Sequence, residues 1–414
     1  VSIDLTIQNE IEKIVFDLNP TEFKGFDCLI YKSNVLSILV NGEVVEQASA
    51  GEKVQCILDK TPFFGESGGQ VGDHGIISGD NLIINIDGVI KEKDVFIHSG
   101  IVKKGCLTIN DCVEAKVDPA LRRRAQSNHT ATHLLQSALK QLIDPNIGQR
   151  GSLVAFDRLR FDFNSSRPLN YGELNQVENL VNQWIAENHP IVVQTMPIDQ
   201  ALAQGAIAMF GEKYSEIVRV VDVPGVSMEL CGGTHVLNTS EIGAFKIISE
   251  IGIASGIRRI EALAGQSILD YLNEKDYVVK ELSKKFKAQP TEIVPRVIAL
   301  QDELKVLGNS YKRVCDELAL LKVLALKNEV ITTANHKFLV SRLDGIDGQA
   351  LQTGAQGLID SLGKNTAVLL GGTPDPNDCK KVILVAAFGQ GVIDTGLKAG
   401  EFIAPIAKIC GGGG

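Results

Sequence analysis

The sequence runs to 414 residues, 44% hydrophobic and 22% charged, a globular balance that excludes disordered, collagen-like and small disulfide-framed chains and leads to two or three domains. Its 41 basic and 50 acidic residues leave a net charge of −9, which argues against a general basic footprint for nucleic acid but leaves room for a local one. Apolar runs stay strand-sized, the longest at 382–388, and eight scattered cysteines follow no leader-like opening, so the expectation is a soluble cytoplasmic protein with no membrane segment.

Residues 1–115 read as mainly β. Alternating or β-branched runs at 35–40, 54–58, 82–86 and 95–98 are separated by turn residues such as Asn41-Gly42 and Asp87-Gly88. Between them, Pro62 to Asp73 carries Gly65, Gly68, Gly69 and Gly72. Such a stretch needs a tight backbone or approaches a ligand closely. It lacks the Gly-Lys-Ser/Thr of a phosphate loop.

From Pro119 to Leu142 the pattern becomes helical, with Leu121, Ala125, Leu135, Ala138 and Leu142 on one face. A strand over 153–163 is expected next. A second helix over 171–188 carries Leu174, Val177, Val181, Trp184 and Ile185 and is ended by Pro190. Strands recur at 191–196, 217–221, 226–230, 244–249 and 257–262, so helices against an antiparallel sheet predict an α+β sandwich.

Over 266–330 the period changes. Ile293, Val297, Leu300, Leu304, Leu307, Tyr311, Val314, Leu318 and Leu321 recur in steps of four and three, a seam that expects a partner helix. The helix over 267–286 can supply it as an antiparallel hairpin, favoured over an intermolecular coiled coil. Residues 331–414 then read as a small α/β unit with strands at 338–343, 367–370 and 382–388 and helices at 348–362 and 399–409. It holds seven basic and seven acidic residues. The opening Val1 and the closing glycine run at 411–414 read as cuts in a longer protein.

The chemistry-bearing constellation is His129-Thr130-Ala131-Thr132-His133 with Cys231-Gly232-Gly233-Thr234-His235. Two histidines four apart on a helix share a face. The cysteine and third histidine follow a strand in a glycine-rich turn. Three imidazoles and a thiolate suit a tetrahedral Zn²⁺. The alternatives are polar core histidines with a buried thiol, or a closed structural metal, since catalytic zinc keeps a position open. A zinc peptidase is excluded because no glutamate stands between the helix histidines, and a zinc deaminase because His-x-Glu and Cys-x-x-Cys are absent. Hydrolysis without a carboxylate base beside the ligands suits an activated ester. Thr132, Gln149 and backbone amides would position the substrate.

These two motifs, with Arg122-Arg123-Arg124, the 65–73 loop, Gly151-Ser152-Leu153-Val154, Arg160-Phe161-Asp162-Phe163 and the 256–262 stretch Gly-Ile-Arg-Arg-Ile-Glu-Ala, resemble the editing domain of alanyl-tRNA synthetase. The likeness continues into a C-terminal domain like that enzyme's own and covers nearly the whole chain. Threonyl-tRNA synthetase shares the His/His/Cys/His pattern, but neither the Gly-Glu-Ser-Gly-Gly-Gln loop nor this C-terminal domain.

The resemblance implies hydrolysis of tRNA(Ala) mischarged with serine or glycine, one Zn²⁺ on His129, His133, Cys231 and His235, and catalytic roles for Thr132, Gln149 and Cys231. Thr132 would face the seryl hydroxyl and Gln149 would line the same pocket. Their alternatives are a threonine bonding its own helix backbone and an exposed turn amide. Arg122–Arg124 read either as a solvated first helical turn or as phosphate contacts, and Arg258 and Arg259 are open in the same way.

No aminoacylation half and no ATP motif are found, so neither ATP binding nor aminoacylation is expected. The C-terminal domain and hairpin would serve tRNA binding or a homodimer. Two other readings stay open, a non-catalytic zinc-stabilised tRNA-binding module and a free-standing trans-editing protein. The expected architecture is α+β and multidomain. It has a barrel-like β part over 1–115, an editing core over 116–265, the hairpin over 266–330 and the small α/β domain over 331–414.

Overall fold

In the computed structural model, residues 18–208, 214–375 and 380–412 are described. The end of the glycine run, Gly413-Gly414, and the first seventeen residues of the expected β part lie outside them. Strict alternation builds the first layer. In Leu82–Glu92 and Cys112–Val117 every second residue is buried over most of the strand, as a sheet with one core face requires.

Six strands close on themselves: β1 (Ile30–Val40), β2 (Lys53–Leu58), β3 (Gly75–Gly79), β4 (Leu82–Glu92), β5 (Val95–Lys104) and β6 (Cys112–Val117), in the order β6-β3-β4-β5-β2-β1. Ala115 faces Tyr31 across one seam and Ile77 across the other, and this double pairing of β6 seals the barrel. Bulges at Val35/Ser37 and Ile86/Gly88 add the bend that closure demands. Val35, Ile38, Leu58, Ile77, Ile84 and Val102 fill the interior.

The barrel-like expectation holds, although strands read as four to six residues run to ten or eleven.

The first long helix, α1 (Pro119–Leu142), begins where the sequence placed it. Asp118 caps it by accepting from the amides of Ala120 and Leu121, with Pro119 in the first turn. Its Leu134, Leu135, Ala138 and Leu139 pack with Trp184, Val177 and Val181 of α2 (Tyr171–Ala186) and with Phe161 and Phe163. Beneath them lies an antiparallel sheet of β7 (Gln149–Val154), β8 (Leu159–Asn164), β12 (Phe245–Ala254) and β13 (Ile257–Ala264), ordered β7-β8-β13-β12. A second antiparallel sheet, β9-β10-β11, is made of β9 (Val192–Pro197), β10 (Ile217–Val223) and β11 (Ser227–Leu230).

The single strand expected over 153–163 is corrected to the β7–β8 hairpin. Its turn closes with the Ala155 amide donating to the Arg158 carbonyl at 3.0 Å. No glycine or proline marks that turn, so its apolar flanks read as one run.

The chain divides into two compact units, 1–278 and 279–414. Helices α3 (Gln266–Phe286) and α4 (Ile293–Ala325) follow one another across a six-residue connection at 287–292. The expected seam of α4 is not packed within its own unit: Leu304, Leu307, Tyr311 and Leu321 are each more than 60% exposed. The last turns of α4 enter a core, where Ala319 and Val323 join Leu351, Ala355 and Leu358 of α5 (Gly348–Leu362). That helix lies on a sheet containing β14 (Lys337–Arg342), β15 (Thr366–Gly372) and β16 (Ile383–Phe388), with β14–β15 parallel and β15–β16 antiparallel. The small α/β expectation holds for its three strands, and a short fourth, Ile331–Thr332, pairs with β14 without having been expected. Among the described residues no helix is long and apolar enough to cross a membrane.

Candidate metal centre

One turn of α1 separates His129 from His133, and both rings are buried on the same side. The strand β11 delivers Cys231, and the Gly232-Gly233 step turns the chain so that His235 returns to the same point. The ring centroids of His129, His133 and His235 lie 4.3 to 5.2 Å apart. One donor atom from each of His129, His133, Cys231 and His235 lies within 4.8 Å of all the others. Cys231 Sγ is 3.4 Å from His129 Nε2 and 3.3 Å from His235 Nε2. A Cβ on Gly233 would collide with the His129 ring. Only a glycine there lets the loop lie against the helix.

The surrounding polar groups are engaged around these four. His129 Nδ1 lies 2.8 Å from Gln70 Oε1, and Thr130 Oγ1 lies 3.0 Å from His235 Nδ1 while accepting from the Val236 amide at 3.3 Å. Arg219 donates to the Cys231 and Gly233 carbonyls at 2.7 and 2.9 Å and lies 4.2 Å from the Phe26 ring centroid. Glu229 Oε2 stands 3.7 Å from His133 Nε2, and Ser227 donates to Glu229 Oε1 at 2.9 Å. His133 Nδ1 is buried without a partner.

Burial disfavours the charged forms of Cys231, His235 and His133, and neighbouring charges overcome it at Cys231 and His133. Burial opposes ionisation of Cys231, but the His129 and His235 imidazoles outweigh it and hold the thiol well below its usual range. Burial, with His129 beside it, drives His235 well below the usual imidazole value. Burial also opposes a charge on His133, but Glu229 and Cys231 lift it to about 9. A partly buried thiolate facing two Nε2 atoms and a third imidazole is a donor set that fits a tetrahedral divalent transition ion.

The remaining expected residues divide sharply. Thr132 is buried on the same helix, and its hydroxyl donates to the Asn128 carbonyl at 2.8 Å, which is the backbone-bonding alternative. Gln149 opens β7 half-buried, its amide donating to Ser152 Oγ at 3.1 Å.

Arg122 is neither solvated nor a phosphate contact, and that expectation is corrected. Its guanidinium is buried, pairs with Asp73, and donates to the Gly25 and Pro62 carbonyls at 2.6 and 2.8 Å. Arg123 pairs with Glu241 and Arg124 lies 3.4 Å from Asp270. Arg258 pairs with Glu250, and Arg259 with Asp162 at 2.6 Å.

Gln70, Thr130, Thr234, Arg219 and Glu229 were not singled out from sequence. For Gln70 a signal exists in the sequence, because four glycines around it need a tight turn or a close approach.

Two family models match the chain. The model for tRNA synthetases class II (A) covers residues 3–121, and that for the threonyl and alanyl tRNA synthetase second additional domain covers residues 218–261, which include Cys231 and His235. Among curated relatives, an alanine–tRNA ligase of Prochlorococcus marinus (strain MIT 9303) is 58% identical over 419 residues, covering 100% of this chain and 47% of the relative. Those of Synechococcus sp. (strain WH7803) and Parasynechococcus marenigrum (strain WH8102) are 57% and 58% identical, with the same coverage of both chains. The chain thus spans about half the length of the curated relatives it matches.

Proposed function

We propose, for a chain homologous over its whole length to part of an alanine–tRNA ligase, that the centre on α1 and the 231–235 loop is an editing site. There Ser-tRNA(Ala) and Gly-tRNA(Ala) would be deacylated with one Zn²⁺ held by His129, His133, Cys231 and His235. The observation that carries this reading is the convergence of those four donors within 4.8 Å of one another. An alanine-activating pocket cannot strongly reject glycine on size or exclude serine on one hydroxyl, so a second site that bonds the hydroxyl supplies the missing discrimination.

Zinc, when bound, would supply a Lewis-acid centre at the aminoacyl ester. The chain's own residues do the rest. Thr132 has committed its proton to the Asn128 carbonyl, so its hydroxyl oxygen is left to accept from a seryl hydroxyl, one turn-face away from the histidines. Arg219 holds the Cys231 and Gly233 carbonyls and thereby fixes the loop bearing two of the ligands. Burial of all three imidazoles excludes bulk water. Gln149 would line the approach of the acceptor end from the start of β7.

The partner would be tRNA(Ala), in the cytoplasm. The second unit would grip it or join a homodimer, and the uncovered α4 stripe supports the homodimer. The four-part division of the chain into barrel, editing core, helical pair and small α/β domain is offered with this reading.

A second reading rests on the same count of ligands. Four protein donors close a tetrahedral shell, as in structural sites, which fits a non-catalytic tRNA-binding module.

Single-turnover hydrolysis of Ser-tRNA(Ala), with Ala-tRNA(Ala) as the comparison ester, separates the two. Selective loss of the seryl ester, abolished together with metal binding in Cys231→Ala, is expected for the editing site. Bound tRNA with no hydrolysis would sink it and favour the module.

A further inference from the structure

We propose that Gln70 is the positioning residue of the metal centre: its side-chain amide fixes which nitrogen of His129 faces the metal and locks the 231–235 loop against the helix. This rests on the metal-site reading above.

The argument starts from an amide whose orientation is settled by a backbone group. Gln70 Oε1 accepts from the Thr234 backbone N–H at 3.0 Å, while Gln70 Nε2 donates to Thr234 Oγ1 at 2.9 Å. A backbone N–H can only donate, so the atom facing it is the carbonyl oxygen and the amide cannot be turned over. The same oxygen lies 2.8 Å from His129 Nδ1. An acceptor opposite Nδ1 makes Nδ1 the protonated nitrogen and leaves the lone pair on Nε2. That Nε2 faces Cys231 Sγ at 3.4 Å.

Gln70 is fully buried and thus bridges the helix ligand and the loop ligands with one side chain. Thr130 offers His235 no such certainty, because a hydroxyl both donates and accepts.

The loop that carries Gln70 is built to hold it still. Ser67 and Gln70 exchange backbone hydrogen bonds at 3.0 and 3.2 Å around Gly68 and Gly69. Those two glycines have φ of 57° and 82°, the left-handed region that side chains avoid. On the far side, the Val154 amide donates to the Gly69 carbonyl at 2.7 Å, and the Val71 amide to the Val154 carbonyl at 3.0 Å. A Cβ on Gly69 would strike Ser152. Three residues on, Asp73 is clamped by Arg122 and by the Phe64 amide at 2.7 Å. The glycines therefore serve a turn that presents an amide.

The test is zinc affinity, by competition with a chromogenic chelator, and the visible absorption of the Co²⁺-loaded full chain. Gln70→Leu keeps the bulk and removes both polar atoms. Its zinc affinity is expected to fall about 10–100-fold, as loss of a group behind a metal-bound histidine does, with a changed Co²⁺ band. Gln70→Glu keeps acceptors for His129 Nδ1–H and the Thr234 amide, and the Thr234 hydroxyl can donate to the carboxylate. It is expected to restore affinity and spectrum. Wild-type affinity in Gln70→Leu would overturn the proposal, and so would a Gln70→Glu protein that folds and yet binds as weakly as Gln70→Leu. If the unaltered chain binds no metal, the metal-site reading fails together with it. If the unaltered chain binds metal, Cys231→Ala does not and Gln70→Leu is unchanged, only the role given to Gln70 fails.

Discussion

At the scale of single residues, the centre is decided by what is absent at one position. The space where a Gly233 side chain would begin is already filled by the His129 ring, whereas a Cβ on Gly232 would meet nothing within 4 Å. Neighbouring glycines in one loop therefore make opposite predictions. Gly233→Ala should push the ring or the loop aside, lowering stability by about 1–3 kcal/mol, the usual range for overpacking, and weakening zinc binding. Gly232→Ala should change neither. Urea unfolding followed by the emission of Trp184, the chain's one tryptophan, buried in the core beside α1, reads the first effect, and chelator competition reads the second. Equal behaviour of the two variants would remove the packing argument.

Residue by residue, the convergence of the four donors was legible because histidines four apart on a helix and a Cys-Gly-Gly-Thr-His turn have few other uses. Gln70 was not, since nothing in a lone glutamine tells of a histidine 59 residues further on. Arg122 was misread for a related reason. A run of three arginines looks the same in sequence whether it meets solvent, phosphate or a buried aspartate.

At the scale of elements, periodicity told which face of a helix or strand is apolar and left open what covers it. That sufficed for α1, whose apolar face meets a sheet, and for β4, whose alternation set its share of the barrel interior; β6 alternates just as strictly, yet its six residues were not read as a strand. It did not suffice for α4, where a regular seam stays exposed. The barrel also holds a polar group that its alternation alone would not predict. His98 on β5 is fully buried, with Nδ1 3.1 Å from the Cys56 carbonyl, Nε2 2.7 Å from Thr61 Oγ1, and its ring edge-on to Phe63.

Burial outweighs the Cys56 carbonyl and lowers the His98 pKa to about 4 from an ordinary 6.5. The unfolded chain therefore takes up this proton first as pH falls. The stability that neutral His98 contributes is fully present above about pH 6.5 and drains away down to about pH 4, by about 3 kcal/mol at 1.36 kcal/mol per unit. Hydrogen exchange of the β2 and β5 amides at pH 7 and pH 4, compared with His98→Gln, measures this difference. An unaltered chain whose barrel loses no more stability than the variant's would show that His98 titrates normally.

At the scale of the whole molecule, the four candidate metal donors all fall within one compact unit, 1–278, while 279–414 has a separate core built on α5 and its sheet. Each core buries its own apolar face, so the chain should unfold in two steps rather than one. A shared ion would tie α1 to a loop about a hundred residues further along the chain, and an ion that binds these donors only when folded would add its binding free energy to that unit alone. At free zinc 100 to 1,000 times the dissociation constant, the added stability is about 2.7–4.1 kcal/mol. Stripping the metal with a chelator should therefore lower one calorimetric transition by several degrees, the one that coincides with the change in Trp184 emission. The other should stay where it was. Movement of both transitions together would mean that the two units unfold as one. Movement of neither would mean that the four donors, however close they stand, hold no metal that matters to the fold.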